Sequence, residues 1–157
     1  MKDLLMDFAS RLVLGTETPE RGGEVAAEVL AEGFDSEALR ALAAQEDPRS
    51  EEVMPILNRA LADLGRNLPT PTNAALWLAA RTALKMLAKE INAYDGSKAI
   101  WALARRVPGD AVAKLDPFIY AASEWEDRPE DRPWLEKAML ESAEDLVRAE
   151  LEGGASV

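Results

Sequence analysis

The residues in this chain that could do chemistry are mostly acids, and their spacing is helical. Glu20, Glu24, Glu28 and Glu32 recur every fourth residue, a period that stacks them on one face of an α-helix. Asp116, Tyr120, Glu124 and Asp127 follow at i, i+4, i+8 and i+11, and Glu126, Arg128, Glu130 and Asp131 make that region the densest polar cluster in the chain. Carboxylates so placed can hold a hard cation such as Mg²⁺ and activate its water. Alternatively, they present a negative surface to a cationic partner.

The rest of the catalytic repertoire is thin. There is no Cys and no His. Disulfides, thiolate nucleophiles and iron–sulfur ligation are therefore excluded, as are Ser-His-Asp and Cys-His arrangements and the commonest transition-metal ligand. Gly22-Gly23 and Gly153-Gly154 fit neither the P-loop nor the dinucleotide fingerprint, and no EF-hand loop is present. Glu124-x-x-Asp127 and Glu141-x-x-Glu144 resemble the paired acids of all-helical nucleotide pyrophosphatases. With 29 acidic residues in 157, however, carboxylates three apart arise from composition alone. No residue is assigned a catalytic or metal-binding role, and no cofactor is expected.

The glutamate stripe poses a physical question. Each like-charge i,i+4 pair costs a helix about 0.2–0.5 kcal/mol, so three in a row call for a basic patch, a basic partner, or water and salt. Arg81, Lys85 and Lys89 repeat the same spacing with opposite sign. Charge is laid out in blocks: residues 79–122 hold seven basic and four acidic side chains, and residues 123–152 hold four and eleven. The net charge of −11 argues against nucleic acid or an anionic membrane as partner, since both need a basic face. It is compatible with a basic protein.

The elements that carry these residues read as helices. About half the chain is apolar, and the wealth of Ala, Leu, Glu and Arg favours helix over strand. In the first half, helices are expected over Lys2–Leu14, from a Thr18 cap with Pro19 in first position to Gly33, after a Ser36 cap, and after a Ser50 cap with Pro55 in the first turn. In the second half they are expected over Pro71–Ile91, Asp95–Val107, Asp110–Leu115, Asp116–Trp125 and Pro133–Leu151. Phe118, Ala121, Ala122 and Trp125 share one face, which marks Trp125 as core. Seven of the nine aromatics lie between Trp77 and Trp134. Trp101, at the flank of an apolar stripe, is a candidate partner contact beside the two acidic sets.

The two halves align. Ala9–Val13 matches Ala83–Leu87 and Gly22 matches Gly96 at an offset of 74, and Pro55–Asp63 matches Pro133–Glu141 at an offset of 78. The expected fold is therefore all-α, about eight amphipathic helices, built by duplication of a four-helix unit. The copies would span residues 1–66 and 70–152 as a pseudo-twofold bundle or short helical-hairpin stack, with a disordered tail over 153–157. No apolar run is long enough to cross a bilayer, and Asp3 and Asp7 interrupt any signal-peptide core, so a cytoplasmic location is expected.

The run Leu115–Pro129, with Gly96, Ile100 and Trp101 upstream, resembles small bacterial helical acidic proteins over residues 94–147. That family has no assigned function, so the resemblance implies a bacterial, cytosolic, helical protein and no activity. The residues themselves point to a non-enzymatic, acidic protein-binding module, immunity- or antitoxin-like against a basic partner. Two alternatives are a Mg²⁺-dependent nucleotide hydrolase and a self-associating scaffold subunit.

Overall fold

The computed structural model describes residues 2–152. The tail expected to be disordered, 153–157, lies outside the described residues. The protein is all-α: eight α-helices follow one another, and no strand occurs among the described residues. They are α1 (Lys2–Val13), α2 (Arg21–Ala31), α3 (Glu37–Ala43), α4 (Ser50–Asp63), α5 (Pro71–Leu87), α6 (Ala93–Ala104), α7 (Asp116–Asp127) and α8 (Arg132–Val147). A 3₁₀ segment, Gly109–Leu115, leads into α7, where a helix was expected from Asp110. A π-turn, Arg148–Glu152, follows α8. Among the described residues no helix is long and apolar enough to cross a membrane.

The chain divides into two compact units, Met1–Ala74 and Ala75–Val157. In the first, α2 packs on α1 and α3, and α4 packs on α3 and α1. Its core is Leu5, Phe8, Val29, Leu39, Leu42, Leu57 and Leu61, all essentially inaccessible to solvent. In the second, α6, α7 and α8 pack on one another around Ile100, Leu115, Phe118, Leu135 and Met139. Burying such side chains supplies the main favourable term of folding.

Local signals explain most helix ends. Ser36 caps α3, its hydroxyl accepting the Leu39 N–H at 3.0 Å. Several boundaries correct the expectation. Thr18-Pro19-Glu20 forms a tight turn, with the Arg21 N–H donating to the Thr18 carbonyl, so α2 begins only at Arg21. Arg49, not Ser50, is the cap of α4, with the Glu52 carboxylate accepting the Arg49 N–H at 3.2 Å. Pro55 is then the sixth residue of α4, one residue further in than expected. The bond it removes would have gone to the carbonyl of Glu51, an exposed residue, where solvent can substitute. α6 starts after Asn92, whose side chain accepts the Asp95 N–H at 2.8 Å, and ends before Val107.

Two devices recur in both units. α1 ends with Gly15 at φ 74° and α5 with Lys89 at φ 60°. In each case the next N–H reaches back five residues, Thr16 to the Arg11 carbonyl and Glu90 to the Lys85 carbonyl, both at 2.9 Å. This is the left-handed helix stop that glycine favours. In addition, the second helix of each unit carries a packed glycine. A Cβ on Gly22 would lie 3.2 Å from Leu42 and 3.3 Å from Phe8, and one on Gly96 would run into Met86, 2.5 Å from its sulfur.

Candidate functional site

The acidic stripe is only partly a helix face. Glu24 and Glu28 lie inside α2, while Glu20 and Glu32 are its flanking cap residues. All four side chains are exposed, because Gly22, Val25, Ala26 and Val29 turn the opposite face inward. The charge cost is therefore smaller than three stacked pairs suggested, and it is uneven along the helix. Glu20 and Glu24 sit at the positive helix terminus, which favours them; Glu28 and Glu32 sit at the negative one, which does not. Arg21 pairs with Glu24 at 3.3 Å. No basic residue occupies the last turn of α2.

On α7 the expected face forms as read. Asp116 and Asp127 are its first and last residues, and Tyr120 is 54% exposed. The acids, however, are not poised around a vacant centre. Arg128 holds Glu124 at 2.8 Å and approaches Asp131 at 4.0 Å. Among the described residues no group of three or more acids is arranged to hold a metal ion.

The expectation that Trp125 is core needs correction. Phe118, Ala121 and Ala122 are buried, but Trp125 is only half-buried. It stacks on Tyr94, with ring centroids 5.2 Å apart and planes 10° from parallel. The reason is tertiary: α6 brings Tyr94 alongside, so the indole is covered by a ring from another helix instead of by the apolar interior.

That stack anchors a site the sequence reading missed. Tyr94, Lys98 and Trp101 on α6, with Arg105 as the C-cap residue that ends it, follow at i, i+4, i+7 and i+11, one helix face. Lys98 Nζ lies 4.4 Å over the Tyr94 ring, the Arg105 guanidinium 4.8 Å over Trp101, and the Arg132 guanidinium 5.2 Å over Trp125. Each is within cation–π range. The Arg132 Nε–H also donates to the Trp125 carbonyl at 2.9 Å. The Tyr94 hydroxyl donates to Glu126 Oε1 at 2.7 Å, and this bond to a carboxylate raises the phenol above its ordinary pKa of 10.0. Between α6 and α7 lies an open groove of about 390 Å³, bordered by Tyr94, Lys98, Trp101, Arg105, Ser123 and Glu126.

The chain matches no family model, no curated protein and no solved structure. Of the residues singled out from sequence, Glu20, Glu24, Glu28 and Glu32 share one surface of the first unit. Asp116, Tyr120, Glu124 and Asp127 share one face of α7, and Trp101 borders the α6–α7 groove. Tyr94, Lys98 and Arg105 were overlooked, and Glu126 was read only as one of the acidic cluster. Their signal was present in part, since an aromatic followed four residues later by a cation occurs twice on α6 (Tyr94/Lys98 and Trp101/Arg105). Nothing local tied Glu126 to Tyr94, 32 residues earlier.

Proposed function

We propose that this protein is a non-enzymatic helical binding module that takes a basic protein partner on the acidic surface of α2. The observation that carries the reading is Glu28. It is exposed, stands in the last turn of α2 where the helix dipole disfavours an anion, and meets no cation among the described residues. A partner's Lys or Arg there removes that cost and adds attraction, and charge complementarity of this kind speeds encounter and selects the partner. The net charge of −11 acts in the same direction at longer range. An immunity- or antitoxin-like role, masking a basic protein, is the reading that suits such a surface, and the cytoplasm is its proposed setting. The α7 face with Asp116, Tyr120, Glu124 and Asp127 is proposed as a second contact area.

The hydrolase alternative draws little support, since Glu124 is already engaged by Arg128. We also read the two units as diverged copies. The left-handed stops at Gly15 and Lys89 and the packed glycines at Gly22 and Gly96 support this, each pair being 74 residues apart.

The test is affinity capture from native lysate at low and high salt, comparing wild type with a Glu20/Glu24/Glu28/Glu32→Gln variant. A basic protein held by wild type at low salt and lost by the variant supports the reading. Identical capture by both proteins, or no specific capture at either salt concentration, overturns it. Light scattering on the purified chain addresses the self-associating alternative directly.

A further inference from the structure

We infer that the α6–α7 groove is a binding site for a small planar aromatic anion, a ring system bearing a carboxylate or phosphate, with Arg105 as the anion contact and Trp101 as the ring contact. The inference stands apart from the acidic surface of α2 and uses none of its residues.

Three observations converge on this chemistry. The first is size. About 390 Å³ falls at the lower end of the roughly 300–1,000 Å³ usual for small-molecule sites. The second is the state of Arg105. Its guanidinium is exposed and held over Trp101, but it pairs with no acid among the described residues. An arginine with its planar fork open and its position fixed by an aromatic ring is organised in advance for a carboxylate or phosphate. Lys98, by contrast, already has Asp95 at 3.5 Å. It stands two helical turns from Arg105, about 10 Å along the axis, so the two cations bracket Trp101.

The third observation is the lining. Trp101 is half-buried, and Ala102 and Ala122 put only methyl groups into the groove, which leaves an apolar surface beside the indole for a flat ring. Glu126 at the Tyr94 end is held by the phenol hydroxyl at 2.7 Å. Its charge disfavours a second anionic group there, so the guest carries its negative charge at the Arg105 end. At physiological ionic strength the Debye length is about 8 Å. Acids farther than that from Arg105 are therefore largely screened, and the guest's anion must lie at the Arg105 end to keep clear of Glu126.

The experiment follows the tryptophan indole N–H resonances of the intact protein while naphthoate, its neutral analogue naphthamide, or adenosine monophosphate is added. The Trp101 resonance is assigned by its loss in Trp101→Phe. Trp134, 62% exposed, is the internal control for indiscriminate adhesion of rings. The expected result is a saturable shift of the Trp101 signal with naphthoate or the nucleotide, the one that binds naming the carboxylate or the phosphate class. Trp134 stays still and naphthamide binds at least about tenfold more weakly. Arg105→Gln, an exposed change that leaves the core intact, weakens the anion by about tenfold, the scale of a lost charged hydrogen bond. The inference is overturned if neither anion moves Trp101, if naphthamide binds as well as naphthoate, if Arg105→Gln binds unchanged, or if Trp134 shifts in step with Trp101.

Discussion

The two units use the same devices to hold their first two helices, and they differ in how tightly those devices fit. In the first unit α1 stops at a glycine, and a Cβ on the packed glycine of α2 would be tight against Leu42 and Phe8 but would not overlap them. In the second, the stop is a lysine held in a left-handed conformation, and the glycine of α6 lies hard against a fully buried methionine. The surfaces diverge as well. A groove at α3 and α4 is lined by Asp35, Glu37 and Asp63 with Arg59, and the α6–α7 groove by Tyr94 and Trp101 with Lys98, Arg105 and Glu126. The difference teaches that similar helix-stop and packed-glycine devices can coexist with different surface chemistry.

The glycines give the largest expected contrast. Gly96→Ala places a methyl on the Cγ and Sδ of Met86, which is 1% exposed and cannot swing into solvent. Overpacking of this kind costs about 1–3 kcal/mol, partly offset by the roughly 1 kcal/mol that alanine gains over glycine in a helix. We expect a net loss of up to about 2 kcal/mol, read as a lower denaturant midpoint. At Gly22 the neighbours need yield only a few tenths of an ångström, so Gly22→Ala should be close to neutral. Equal losses at the two sites would erase the contrast.

The helix stops come next. Lys89→Gly relieves a left-handed L-residue and should stabilise the protein by about 1 kcal/mol, while Gly15→Ala introduces the same strain and should cost about as much. Thermal unfolding of the two variants checks the sign at each. A Lys89→Gly variant no more stable than wild type would show that the lysine side chain contributes contacts that repay its backbone.

The smallest change in stability is expected on α2. Glu28→Gln removes an anion from the negative helix terminus and should stabilise the isolated protein by about 0.3–1 kcal/mol. If the acidic surface is a docking site, the same substitution weakens partner capture. A variant that is more stable and still captures fully would separate Glu28 from function.

Much of the fold was legible because it rests on local rules. The all-α class, the eight helices, the Ser36 cap and the start of α5 at Pro71 all follow from period and end signals. The misplaced ends show where local rules stop. Lys89 closes α5 without the glycine that advertises such a turn, so the helix was read through to Ile91. Asn92 outcompetes Asp95 as the cap of α6, and Asp95 serves in the first turn instead. The acidic surface of α2 was visible as a stripe, since exposure of a charged face follows from amphipathicity. The groove was not, because it is made by pairing α6 with α7. Trp125 was assigned to the core by the same period that correctly buried Phe118, and only the Tyr94 ring across the helix pair decided otherwise.

The last contrast is a titration instead of a helix substitution. Both tyrosines of the chain, Tyr94 and Tyr120, belong to the second unit, so tyrosinate absorbance reports that unit alone. The bond to Glu126, with partial desolvation and the nearby carboxylate charge, raises the Tyr94 phenol above 10.0. A pKa raised on folding means that the folded state favours the protonated phenol. Its contribution is therefore complete below about pH 10, the unfolded value, and is lost as pH climbs through the folded value. Tyr94 should ionise later than an ordinary tyrosine, and Tyr94→Phe should remove that late component. Glu126→Gln keeps an acceptor but removes the charge, so it should bring the Tyr94 transition to lower pH. A late component that Glu126→Gln leaves in place would mean that burial beside Trp125, and not the carboxylate, holds the proton. It would also loosen the link between Glu126 and the polarity of the groove.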